Sequence, residues 1–189
     1  MGVCLLPAQA GAFRPSGTYL LSIELSQAVN VAFGRFQQGR VFVLAAGIYV
    51  YVGSALGQRG ATTLPRRLLR HASRGVGPPH PIRGELTRAF AAMGLAHMAQ
   101  PPRQPKRLHW HVDYLLEMPA SSLTHIIAFG DNQRRESDLA HWLTGRADMR
   151  VIAAGIGARD LPGETHLWQL QAAPTWWQNT LLPYCQTLV

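Results

Sequence analysis

Seven residues constrain this chain more than any others: Gly47-Ile48-Tyr49-Val50-Tyr51-Val52-Gly53. β-Branched and aromatic side chains crowd the preceding turn of a helix but stand well on a pleated surface, and a glycine at each end lets the backbone leave it. The run therefore predicts a strand, and a period of two sends Tyr49 and Tyr51 to the same face.

Such a strand needs partners. Residues 18–25 supply one, with Tyr19, Leu21, Ile23 and Leu25 alternating with Leu20, Ser22 and Glu24. Shorter runs at 29–33, 40–44, 123–129, 149–154 and 166–170 read as further strands, separated by glycine-bearing turns. Between them lie helical periods. Thr62 or Thr63 can cap a helix with Pro65 in its first turn, ending near Ser73 before Gly75, Gly77, Pro78 and Pro79. Leu64, Leu68 and Ala72 form its apolar stripe, while Arg67, Arg70, His71 and Arg74 recur at helical spacing on one cationic face. A second helix is expected over 82–93 and a third over 136–143. Pro101-Pro102-Arg103-Gln104-Pro105 reads as a stiff linker. The segment His109-Trp110-His111-Val112-Asp113-Tyr114-Leu115-Leu116 fits either state: a strand would align His109, His111 and Asp113, and a helix would not. The order of elements predicts an α/β fold, a mixed and largely antiparallel sheet flanked by helices. Residues 1–16 read as a loose leader, 17–170 as one domain, and 171–189 as an extension packing on it.

Charge narrows the partner. The chain carries a formal +8, and ten of its cations fall between Arg59 and Arg107 against the single acid Glu85. Seventeen of the eighteen cations are arginine, which suits bidentate phosphate binding, although a G+C-rich coding sequence would have the same effect. An acidic partner follows, with nucleic acid first and DNA ahead of RNA. Arg66, Arg70, Arg74, Lys106 and Arg107 are the expected backbone-binding cations. No apolar stretch approaches the roughly 20 residues of a membrane span, so no membrane partner is expected. Cys4 and Cys185, far apart in sequence, make neither a disulfide framework nor a zinc site, and a cytoplasmic location is expected.

Read in order, Gly17-Thr18-Tyr19 on one strand, Tyr51-Val52-Gly53 on another, Arg67 and His71 on the next helix and Glu136 opening a later helix resemble the GIY-YIG nuclease superfamily. Gly47-Ile48-Tyr49 is a look-alike of the first triplet, since the family places its two triplets on separate strands. The phrases Tyr49-Val50-Tyr51-Val52-Gly53-Ser54-Ala55-Leu56, Trp110-His111-Val112-Asp113-Tyr114-Leu115-Leu116 and Thr165-His166-Leu167 are similar to one branch of it: domains of unknown function, sometimes fused to endonuclease III-type repair proteins. The resemblance implies metal-dependent hydrolysis of nucleic-acid phosphodiesters, in DNA repair or on particular DNA structures. It implies Tyr19 as general base or water-orienting group, Tyr51 as a positioner of water or phosphate, Arg67 as neutraliser of the phosphorane, and Glu136 as ligand to Mg²⁺ or Mn²⁺. His71, one turn from Arg67, would bind a phosphate oxygen or share the proton. Relatives carry a cysteine pair near the end; here the loop over 157–164 has none, and Asp160 and His166 remain.

Each of these residues also has a structural reading. Tyr19 and Tyr51 could fill a core, the arginines could form a solvated helix face, and Glu136 could favour a helix N-terminus. Asp113 rivals Glu136 as metal ligand; flanked by apolar residues it should be buried, and His109 and His111 could simply buttress it. Trp176-Trp177 reads as packing rather than base stacking. Two further functions compete with a nuclease: a non-catalytic nucleic-acid-binding module on the same fold, which needs only the cations, and a domain whose basic face meets an acidic protein.

Overall fold

In a computed structural model of the chain, residues 2–7, 11–100, 106–157 and 164–189 are described. The linker at 101–105, with Arg103, and the loop residue Asp160 lie outside them. The chain folds as α/β. A mixed sheet is ordered β1 (Gly2–Pro7), β6 (Ser121–Gly130), β2 (Gly17–Leu25), β5 (Gly47–Ala55), β8 (Leu167–Leu170) and β7 (Met149–Val151). Only the β1–β6 pair is parallel. A separate ribbon pairs β3 (Val29–Ala32) with β4 (Val41–Leu44).

Both faces of the sheet are covered, which is why its central strands read as almost continuous apolar runs. On one face Tyr19, Leu21, Ile23 and Tyr51 pack against α1 (Leu64–His71), α2 (Ile82–Ala92) and α3 (His111–Leu116) through Leu64, Leu68, Leu86, Phe90, Val112 and Leu115. On the other, Leu20, Val50, Val52, Ile127 and Trp168 meet α4 (Glu136–Thr144) through Leu139, Ala140 and Leu143. The C-terminal segment joins that layer. Its π-helical turn Trp177–Leu181 and α5 (Leu182–Gln186) bury Trp176, Trp177, Leu181 and Cys185, so the tryptophan pair packs as expected.

Two expectations change. The leader is not loose: residues 2–7 form the edge strand β1, in register from Gly2 opposite His125 to Pro7 opposite Gly130. The open edge of β6 offers unpaired N–H and C=O groups, Leu6 is buried, and the carboxylate of Glu85 accepts from the Val3 N–H at 2.9 Å. The undecided segment at 109–116 is a helix from His111, because Asp113 in its first turn reaches back to accept the N–H groups of His109 and Trp110 at 2.9 and 3.0 Å. The strand expected over 149–154 pairs only through Val151. Among the described residues, no helix is long and apolar enough to cross a membrane.

Candidate active site

β2 begins and β5 ends at the same edge of the sheet, paired so that Tyr19 lies opposite Gly53 and Leu21 opposite Tyr51. Tyr19 and Tyr51 are therefore diagonal neighbours on one face, their ring centroids 6.3 Å apart. Gly53 is required between them: a Cβ there would stand 2.6 Å from the Tyr19 hydroxyl oxygen and 2.9 Å from the Tyr51 ring. The chain then turns into α1, whose first turn carries Pro65. Thr63 precedes the helix, but its hydroxyl bonds back to the Gly60 carbonyl at 3.0 Å rather than capping forward. One turn apart on α1, His71 packs against the Tyr19 ring, centroids 5.6 Å apart, and Arg67 lies over the Trp110 ring.

Tyr19 and His71 Nε2 share a hydrogen bond of 2.9 Å, and His71 Nδ1 lies 3.3 Å from Asp113 Oδ1. All three side chains are fully buried. Burial alone would raise the Asp113 carboxyl, but His71, Lys106 and Arg70 hold it well below the usual carboxylate range. Burial lowers His71 to about 4, against the pull of Asp113, so the ring is neutral at neutral pH. A neutral ring facing a carboxylate carries its proton on Nδ1, which leaves Nε2 to accept from the Tyr19 O–H. Burial also pushes the Tyr19 hydroxyl well above its ordinary value although Arg67 pulls it down, and burial raises Tyr51 in the same way.

Arg67 lies at the mouth. Its guanidinium stands 3.7 Å from the centroid of the Trp110 ring and donates at 3.4 Å to the Ser54 carbonyl, while its Nε is buried without an acceptor. Glu136 closes the other side: Oε2 accepts from the Ser54 hydroxyl at 2.5 Å and Oε1 lies 3.2 Å from His166 Nδ1. His166 Nε2 in turn stands 3.1 Å from Glu164. Burial opposes charge on His166, but Glu136 and Glu164 outweigh it and raise its pKa. The expected gathering of Tyr19, Tyr51, Arg67, His71 and Glu136 at one sheet end is thus present. Trp110, Ser54, His166 and Glu164 join them. The first three lie in the phrases quoted above, though nothing in their spacing assigned them a place.

The cationic face of α1 is corrected. Arg70 donates to both oxygens of Asp113 at 2.8 Å and to the Arg107 carbonyl. Arg74 donates to the carbonyls of Met118, at 2.9 Å, and Ser121. Lys106 is almost wholly buried between the Ser73 carbonyl and Glu117, at 3.1 and 3.0 Å. His71 has no surface to offer a phosphate. Arg70, Arg74 and Lys106 therefore hold α1 to the α3 region; Arg66, partly exposed, and Arg107, exposed, remain. The fold instead sets exposed Arg14, Arg59 and Arg134 around the sheet end, where Gln58 bonds Asn132 at 2.9 Å and the Arg14 N–H bonds the Gly130 carbonyl at 2.8 Å. The buttress of Asp113 is corrected too: Arg70, Lys106 and His71 hold it, whereas His109 contributes only its N–H, and His111 Nδ1 accepts from the Gly157 N–H at 2.8 Å.

All of these side chains from Tyr19 to His166 fall within residues 18–182, which match the family described as "Domain of unknown function DUF123". The chain belongs to the DUF123 family. No curated protein and no solved structure matches it. The DUF123 description states no activity, so chemistry must be argued from the side chains themselves. Among the described residues, no group of three or more His, Cys, Asp and Glu side chains is arranged to hold a metal ion.

Proposed function

We propose that this DUF123 chain is a metal-dependent phosphodiesterase of nucleic acid, of the GIY-YIG type and acting on DNA ahead of RNA. The observation that carries the reading is the convergence of two tyrosines, an arginine with an unfilled buried donor, a neutral histidine backed by a carboxylate, and a separate carboxylate, all from distant segments. A buried N–H without an acceptor costs about 1–3 kcal/mol; a phosphate oxygen at Arg67 would satisfy it and spread the charge that builds during in-line attack. Exposed Arg14, Arg59 and Arg134 would hold the flanking backbone. The two free thiols fit a reducing cytoplasm.

The tyrosines divide the work differently from the first expectation. Tyr51 retains 3% of its surface and Tyr19 none. Tyr51, the less sealed of the two, is assigned to orient water, and Tyr19 stands behind it at the entrance to a relay through His71. A proton reaching the Tyr19 oxygen is matched by transfer of the Tyr19 proton to His71 Nε2, and Asp113 stabilises the imidazolium formed. This concerted route avoids a free tyrosinate, which burial disfavours; burial disfavours the imidazolium too, so His71 holds the proton only in passing, beside Asp113.

Glu136 fits a hard divalent cation: it is a carboxylate at the rim, its partners are a hydroxyl and an imidazole rather than a guanidinium, and Mg²⁺ is commonly held by one or two carboxylates with water and substrate oxygens completing the shell. When bound, Mg²⁺ or Mn²⁺ would supply Lewis-acid stabilisation of the phosphate oxygens.

The test is cleavage of plasmid and branched DNA with Mg²⁺ and Mn²⁺, wild type against Glu136→Gln. Cleavage by wild type and none by the variant is expected. A second reading, a binding module without turnover, is favoured by the sealed Tyr19 hydroxyl and by the occupation of both Glu136 oxygens; strand binding without cleavage under either metal would establish it in place of the first.

A further inference from the structure

Beside the tyrosine site lies a cavity of about 600 Å³ that the chemistry above does not use, lined by Phe33, Phe36, Leu108, His109, His111 and Tyr114, with Arg35 and Gln37 at its rim. Its volume falls within the roughly 300–1,000 Å³ of small-molecule pockets. Rings dominate it: Phe36 and His111 centroids are 5.1 Å apart, and Phe33 forms a wholly buried floor 6.4 Å from the His111 ring. Tyr114 reaches in so closely that a Cβ on Gly34, whose φ is +61°, would lie 2.7 Å from its hydroxyl oxygen. Gln37, at the rim, and its chain neighbour Gln38 hold φ of 46° and 60°. Side chains with a Cβ rarely adopt that conformation, and such residues cluster at binding sites.

The cavity and the tyrosine site share a wall. His109 and His111 face the cavity, and Trp110 between them carries the Arg67 guanidinium. Gly155 lines the cavity, while Gly157, two residues on, packs against Tyr51: a Cβ there would be 3.2 Å from the Tyr51 ring. Among the described residues, no acidic side chain lines it, and exposed Arg35 stands at its rim. Aromatic planes under a positive rim suit a flat ring carried on a phosphate chain.

We propose that this cavity receives one unpaired nucleobase of the strand whose phosphate lies at Arg67, so that the protein grips its substrate by splaying a base out beside the phosphodiester. The inference rests on the nucleic-acid reading above, and it places the preferred substrate among single-stranded, bulged or branched forms, where unstacking costs least.

The experiment is binding of a short fluorescein-labelled single strand in metal-free buffer, with one abasic site moved stepwise along it. One position should weaken binding on the order of 10-fold when its base is removed. That sensitivity should disappear in Phe36→Ala, or in Phe36→Leu, which keeps apolar bulk but removes the flat ring, should the alanine variant not fold. A flat profile overturns the proposal, as does a sensitive position that survives loss of the Phe36 ring. Cleavage with metal together with a flat profile removes the base pocket and leaves the nuclease; a sensitive position without cleavage leaves the pocket and removes turnover. A chain that binds no strand removes both.

Discussion

Asp113 and Glu136 are both carboxylates serving the tyrosine site, and the fold treats them oppositely. Asp113 is wholly buried and holds Arg70, His71, Lys106 and two backbone N–H groups. Glu136 keeps 19% of its side-chain surface at the sheet end and, among the described residues, meets a serine hydroxyl and His166. The difference teaches that saturation separates a carboxylate that builds a site from one that can serve a ligand. Both oxygens of Asp113 are held by Arg70 and backbone N–H groups away from water, whereas Glu136 meets its hydroxyl and imidazole partners while part of its surface stays in water.

The strongest test of this contrast is Asp113→Asn. It strands Arg70 and nearly buried Lys106, and breaking such a buried pair from one side costs about 3–5 kcal/mol. Urea unfolding followed by circular dichroism should show that loss, and a variant as stable as wild type would break the comparison. Arg67→Ala comes next. Its guanidinium touches the Trp110 face and one carbonyl but neither carboxylate, so its main effect should be a drop of roughly 10²–10³ in single-turnover cleavage. A drop accompanied by equal loss of strand affinity would show that Arg67 merely binds.

Acid should reach the Asp113 side first. His71 is lowered from 6.5 to about 4, and His80, buried between the Leu116 carbonyl and the Leu123 N–H, to about 3, burial being the first cause in each. Between those values and 6.5 the unfolded chain binds protons that the folded chain does not. Stability is therefore highest above pH 6.5 and falls toward pH 4, by on the order of 5 kcal/mol for the two rings together. Asp113 adds a further loss only below the ordinary carboxylate range, as pH falls toward its depressed folded pKa. Urea midpoints that stay constant from pH 7 to about 4 would contradict a neutral buried His71. The smallest change in stability belongs to Glu136→Gln, within about 0.5 kcal/mol by the same urea measurement, because an amide can still accept from Ser54 and remains partly in water. A large destabilisation would make Glu136 a second buttress and sharpen the contrast into a ranking of two structural acids.

Much of the scaffold was legible because its signals are local. Alternation marks β2 and β5, helical spacing with Pro65 marks α1, and period two alone puts Tyr49 and Tyr51 on one face. The site was legible only where ordered motifs named its parts. β1 was not legible, since an edge strand of intermediate burial shows no pattern until β6 offers it a ladder. The cations of α1 were misread for the same kind of reason. Helical spacing places Arg70 and Arg74 on one stripe, but only the arrival of Asp113 and the carbonyls of Met118 and Ser121 turns that stripe into an internal clamp.

By itself, the sequence determined the element types outside β1 and α3, the shared face of Tyr49 and Tyr51, and the apolar stripes, because each depends on neighbours within a few residues along the chain. The tertiary structure decided which carboxylate is sealed, that Arg67 at the site keeps an unfilled donor, that His166 stands on Glu136, and that an aromatic cavity opens beside Trp110. Those outcomes depend on burial and on partners many residues away, such as Arg70 with Asp113 and Ser54 with Glu136, and periodicity carries no information about distances of that kind.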